Sequence, residues 1–166
     1  MRDTQRSAVY EAETLVRTMF DRADERGLRS LEILGSTVTL PVERKFGSVE
    51  SVQTYCDRAL TLNWIRETWP RASIPVSVRS RAGNAAAHYS NDVIAVPDDR
   101  NGRWALRELV VLHELAHHLG DPVAGDEASH GPEFVDRYLS LVGEIIGPEA
   151  AFALRAVFLS GGVRTG

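Results

Sequence analysis

His113 and His117 stand four residues apart, with Glu114 between them, in the run Leu112-His113-Glu114-Leu115-Ala116-His117. On a helix that spacing places two imidazoles on one face, a turn apart. Two ring nitrogens so placed can reach a single zinc ion at about 2.0–2.1 Å. Glu114 follows His113 directly and precedes His117 by three residues, so it flanks the same face. There it can take a proton from metal-activated water. An apolar helix is a costly place for three polar side chains unless something compensates. A divalent cation supplies that compensation.

A hydrolytic zinc site takes three protein ligands and keeps a position for water. His88, His118 and His130 are the remaining histidines. His118 diverges from its neighbour His117 by about 100° around a helix, too far to share the ion. The metzincin pattern needs a histidine six residues after His117, and Val123 stands there. His130 is the favoured third ligand. It lies after a polar loop long enough to fold back, just ahead of a helix start at Pro132. Asp126, Glu127 and Glu133 are the carboxylate alternatives.

With His130-Gly131-Pro132-Glu133-Phe134 downstream of the His113/Glu114/His117 motif, the chain resembles the SprT/Spartan class of metallopeptidases over about Ala85 to Tyr138. The wider run Ala87-His88-Tyr89, Ile94-Ala95-Val96-Pro97 and Trp104 to Leu112 resembles a family of short actinobacterial and phage HExxH metallohydrolases over nearly the whole chain. The resemblance implies His113, His117 and His130 as zinc ligands and Glu114 as general base. It also implies a zincin-like α+β domain: a small twisted sheet, an active-site helix and flanking helices. The implied activity is zinc-dependent hydrolysis of peptide or related amide bonds in a peptide or protein substrate. The chain departs from SprT proteins in lacking a cysteine-rich zinc ribbon and a basic extension, which puts action on DNA-bound targets in doubt.

The elements that must position these residues follow from periodicity and breakers. Ala8, Ala12, Leu15, Val16, Met19 and Ala23 predict a helix over 4–26, stopped by Gly27. Ile33 to Leu40 reads as one strand ending at Pro41, and 48–69 as a helix broken near 60–62 and ended by Pro70. Strands are expected over 74–81, 85–90 and 92–96, with a turn at Ser90-Asn91. The strand pair over 85–96 would offer an edge to which an extended peptide could add. The motif helix is expected over 103–119, capped by Asp99 or Asn101 and terminated at Gly120. Pro132 and Pro148 mark two further helix starts. The expected organisation is a single domain over 1–159, with a frayed tail over 160–166.

Composition narrows the partners. A net charge of −4 argues against a nucleic-acid-binding face across the domain, and 18 of the 19 basic residues are arginine. Arg66, Arg71, Arg79 and Arg81 could form a local basic patch. Cys56 is the only cysteine, which excludes an internal disulfide and a thiolate zinc ribbon. With neither an apolar run of membrane-spanning length nor a secretory signal pattern, the expected setting is the cytoplasm. Oligomeric state is left open.

For the supporting residues, packing is the simpler reading. Tyr138, His88 and Tyr89 are candidates to stabilise an oxyanion, yet each sits where helix packing or strand surface explains it. His118 reads as a core-capping or solvated histidine, Cys56 as core, and Trp64, Trp69 and Trp104 as packing anchors. Two rival functions stay in view: a small-molecule metallohydrolase, and a non-catalytic module whose metal is closed by a fourth ligand such as Asp126 or Glu127.

Overall fold

Arg6–Arg26 form the first helix (α1) of the computed structural model, which describes residues 2–83, 86–122 and 128–166. Gly27, in the left-handed region at φ 65°, ends it as the sequence predicts. The stretch expected as one strand is instead a hairpin, Ser30–Ile33 (β1) and Ser36–Thr39 (β2). Leu34 and Gly35 turn the chain at φ 49° and 78°, the two-residue geometry that matches strand twist. Gly35 carries that signal in the sequence.

The second helical stretch breaks near the predicted place, into Val49–Ala59 (α2) and Asn63–Thr68 (α3). Ser48 caps α2 through a reciprocal bond with Ser51. A three-stranded sheet follows, from Ser77–Arg81 (β3), His88–Ser90 (β4) and Val93–Pro97 (β5). Its order is β3-β5-β4, with β3 parallel and β4 antiparallel to β5. Of the expected strand pair, then, β5 is central and β4 is the edge. The turn between them is Asn91-Asp92, one residue later than predicted, with both residues at positive φ. Ala85, expected to open a strand, lies outside the described residues, as do Val123, Asp126 and Glu127.

The motif helix runs Glu108–His118 (α4), five residues shorter at its start than periodicity suggests. Arg103–Ala105 form a separate 3-10 turn, and Arg107 is extended and bridged to Lys45. The Leu106 carbonyl accepts from the Phe46 amide, and the Arg44 carbonyl accepts from the Glu108 amide. Tertiary pairing therefore takes the backbone groups that a longer helix would have used. Asp99 does not cap α4; it accepts from the amides of Asn101 and Gly102. Pro132–Ile145 (α5) and Pro148–Ser160 (α6) begin at their predicted prolines.

Contacts group these elements into two compact units: Met1–Glu43 with Ala124–Gly166, and Arg44–Val123. In the first, α6 packs on both α1 and α5, burying Val9, Phe20, Phe134, Tyr138 and Phe158. Val163 is buried, and the Arg164 amide donates to Gln5 Oε1 at 2.7 Å. In the second, α2 packs on β3 and α4 on β4, burying Cys56, Ile94, Leu112 and Leu115. Burial pushes the Cys56 thiol up to about 12. Among the described residues, no helix is long and apolar enough to cross a membrane.

Glu108 anchors the first turn of α4. Only 2% exposed, it accepts from the Arg44 amide at 2.7 Å and from the Tyr55 hydroxyl at 2.5 Å. Burial, then this acceptor, pushes the Tyr55 phenol far above its ordinary range, so it remains a donor. Replacing Glu108 by alanine strands both donors inside the unit. The expected loss is about 2–4 kcal/mol of unfolding free energy. Urea denaturation of Glu108→Ala measures it, and a change below about 0.5 kcal/mol, the usual range for an ordinary surface site, would remove Glu108 from this anchoring role.

Candidate metal centre

The helix α4 is buried nearly all round, because its apolar residues cover most of its circumference. His113 and Glu114 are therefore inside, at 3% and 4% exposure, while His117 is half-buried. The two imidazoles meet edge to face, with ring centroids 5.0 Å apart. Their Nε2 atoms face each other at 3.2 Å. Two nitrogens bound tetrahedrally to one zinc at about 2.05 Å lie about 3.3 Å apart, so the pair already has the edge length of a shared coordination shell.

His130 precedes α5 and is 5% exposed. Glu133 is exposed, and Asp126 and Glu127 lie outside the described residues. The fit to a metal is one of donor chemistry: the facing imidazole nitrogens of α4 suit zinc rather than oxygen-seeking calcium or magnesium.

Around His130 the chain supplies contacts that sequence reasoning missed. His130 Nδ1 lies 2.7 Å from Asp3 Oδ2. The His130 carbonyl accepts from Gln5 Nε2 at 3.0 Å, and the same amide donates to the Arg164 carbonyl at 3.2 Å. Tyr10 and Phe134 flank the ring at 5.2 and 5.1 Å between centroids. No spacing rule links residues 127 positions apart, so an acidic residue ahead of α1 carried no signal.

His118 turns away from this chemistry. It is fully buried, its Nε2 lies 2.8 Å from the Ile74 carbonyl, and its Nδ1 lies 3.1 Å from the Tyr89 hydroxyl. A carbonyl only accepts, so Nε2 holds a proton, while the single Tyr89 hydroxyl proton is donated to Asp92 Oδ1 at 3.1 Å. Burial holds this imidazole below its ordinary pKa, against the Ile74 carbonyl and Asp92, which favour protonation. The Tyr89 oxygen also meets Arg71 and Asp92, which form an ion pair with each other. Its ring lies parallel to His117, within 10° and 6.3 Å between centroids.

The other candidates sort accordingly. Tyr89 has its hydroxyl engaged by this network. Tyr138 is fully buried, stacked on Phe134, with burial first and Glu13 next pushing its phenol well up. His88 stays exposed on β4. Of the four arginines that could form a basic patch, Arg71 is committed to Asp92 and to the His118 carbonyl, and Arg81 reaches the Ala86 carbonyl. Trp64 and Trp69 pack on each other at 5.7 Å, whereas Trp104 is 42% exposed.

Comparison with protein-family models, with curated proteins and with solved structures finds no match to this chain.

His118 thus anchors the end of α4 that carries His117. Truncating it empties a packed volume and leaves the Ile74 carbonyl without its imidazole donor. His118→Ala is expected to lower stability by about 2–4 kcal/mol. A urea midpoint equal to that of the unsubstituted protein would show that the buried network contributes nothing.

Proposed function

We propose that the chain is a zinc-dependent hydrolase of peptide or related amide bonds, with His113, His117 and His130 holding the ion and Glu114 as general base. The observation that carries this reading is the facing of two Nε2 atoms at 3.2 Å in one turn of a buried helix. Two imidazoles at that separation either share a proton or share a cation. The glutamate that follows His113 directly on the same buried helix favours the cation. A zinc ion bound there supplies Lewis acidity, lowering the pKa of water to about 7 and polarising an amide carbonyl.

The remaining chemistry belongs to the chain. Glu114 follows a ligand directly on the same helix and is shielded from bulk solvent. It takes a proton from the attacking water and returns it to the departing amine nitrogen. A glutamate at that position has no purpose in a purely structural metal site, which sets the catalytic reading above the non-catalytic one. Substrate recognition is assigned to β4, a sheet edge whose outer backbone groups can pair with an extended peptide. This assignment rests on the general behaviour of edge strands, as does the preference for a peptide over a small molecule.

Metal analysis and one substitution test the reading. Protein loaded with zinc and then desalted is expected to retain one equivalent per chain, and His113→Ala or His130→Ala to lose it. Glu114→Gln is expected to keep the metal while hydrolysis of unfolded casein or a fluorogenic peptide pool falls by about 10²–10⁴-fold. Failure of the unsubstituted chain to retain zinc overturns the proposal, as does a Glu114→Gln variant that cleaves at the original rate.

A further inference from the structure

We infer that Asp3 is a positioning residue for the metal centre: its carboxylate fixes His130 as the Nδ1–H tautomer and so presents Nε2 as the ligand atom. The inference rests on the three-histidine reading above and assigns a role to a residue far from the motif. His130 Nδ1 and Asp3 Oδ2 are 2.7 Å apart, a distance typical of a hydrogen bond to a charged acceptor. An ionised carboxylate accepts only, so the bridging proton resides on Nδ1. A neutral imidazole protonated at Nδ1 has its lone pair at Nε2, the nitrogen that can then bind a cation.

Two further observations separate this arrangement from a chance ion pair. First, the ring has little freedom to turn. Its carbonyl is held by Gln5, two residues beyond Asp3, and the rings of Tyr10 and Phe134 pack against it at 5.2 and 5.1 Å between centroids. Gln5 is itself buried and fixed by the backbone of Arg164, so the segment presenting Asp3 is held in place. Second, Asp3 Oδ1 is buried with no hydrogen-bond partner among the described residues. A carboxylate with one oxygen unmet, set against a buried imidazole, is a poor arrangement for stability alone. A cation on the far nitrogen changes that balance, because the imidazole then carries positive charge toward Asp3. Carboxylates behind ligating histidines fix the ring tautomer in this way and raise the basicity of the ligand.

The test has two independent readouts on the full chain. The first is a long-range ¹H–¹⁵N spectrum of the metal-free, ¹⁵N-labelled protein at pH 8, with the His130 signals identified by their loss in His130→Asn. The expected pattern is Nδ1–H in the unsubstituted protein, moving toward Nε2–H in Asp3→Ala. The second is zinc affinity from competition with a chromophoric chelator. Asp3→Ala is expected to weaken it about 10–100-fold, and the isosteric Asp3→Asn, which keeps the shape and loses the charge, about fivefold or more. Thr4→Ala is expected to bind as the unsubstituted protein does, and urea midpoints establish that each variant is folded. An unsubstituted His130 in the Nε2–H form overturns the inference, whatever the zinc measurement gives. So do Asp3 variants whose zinc affinity stays within about twofold of the original. A chain that takes up no zinc at all, yet shows Nδ1–H at His130, removes the metal reading and leaves the hold of Asp3 on the ring established.

Discussion

Two imidazole nitrogens held 3.2 Å apart inside a buried helix are the constraint around which the chain is arranged. His113 is cut off from water and His117 only half so, which limits how far solvent can stabilise either ring. Every feature near the pair limits how the rings can move. Glu108 fixes the first turn of the helix through two donors, one from backbone and one from Tyr55. At the other end His118, Tyr89, Asp92 and Arg71 form a connected polar network, and the Tyr89 ring lies parallel to His117. A helix secured at both ends presents its side chains in one geometry, which a shared ion requires and a merely packed helix does not.

The support of His130 is built on a different plan. Here the ring is placed by long-range contacts to a segment ahead of α1, rather than by the periodicity of one helix. Asp3 addresses the ring and Gln5 the backbone, so identity and position of the donor atom are governed separately. Such a division suits a ring that lies outside regular secondary structure. Without it, the conformational entropy of a loop would have to be overcome each time the ring is brought to its place.

What the sequence made legible was local. The four-residue spacing of His113 and His117 survives as a real geometry because both lie in one uninterrupted helix. Gly27, Pro132 and Pro148 set helix limits correctly because their backbone restrictions act within a residue or two. The errors share the opposite cause. The motif helix begins at Glu108 because Lys45 pairs with Arg107, a contact across 62 residues that no window can sense. Asp3 was invisible for the same reason. The hairpin at Leu34-Gly35 was legible but obscured, since a run of β-branched residues masked the one glycine that bends it. The contact of Arg164 with Gln5 joins residues 159 positions apart and was equally out of reach.

The placement of the histidines along α4 has an electrostatic consequence. Peptide dipoles add along a helix, leaving about half a positive charge at its start and half a negative charge at its end. Glu108, an acid, sits in the first turn and His117 in the last. The carbonyl end of the helix therefore projects a negative potential near the His117 ring, attracting cations and repelling anionic groups, and Arg71 at the His118 carbonyl offsets part of it. The backbone of α4 would thus select the sign of what approaches before any side chain makes contact.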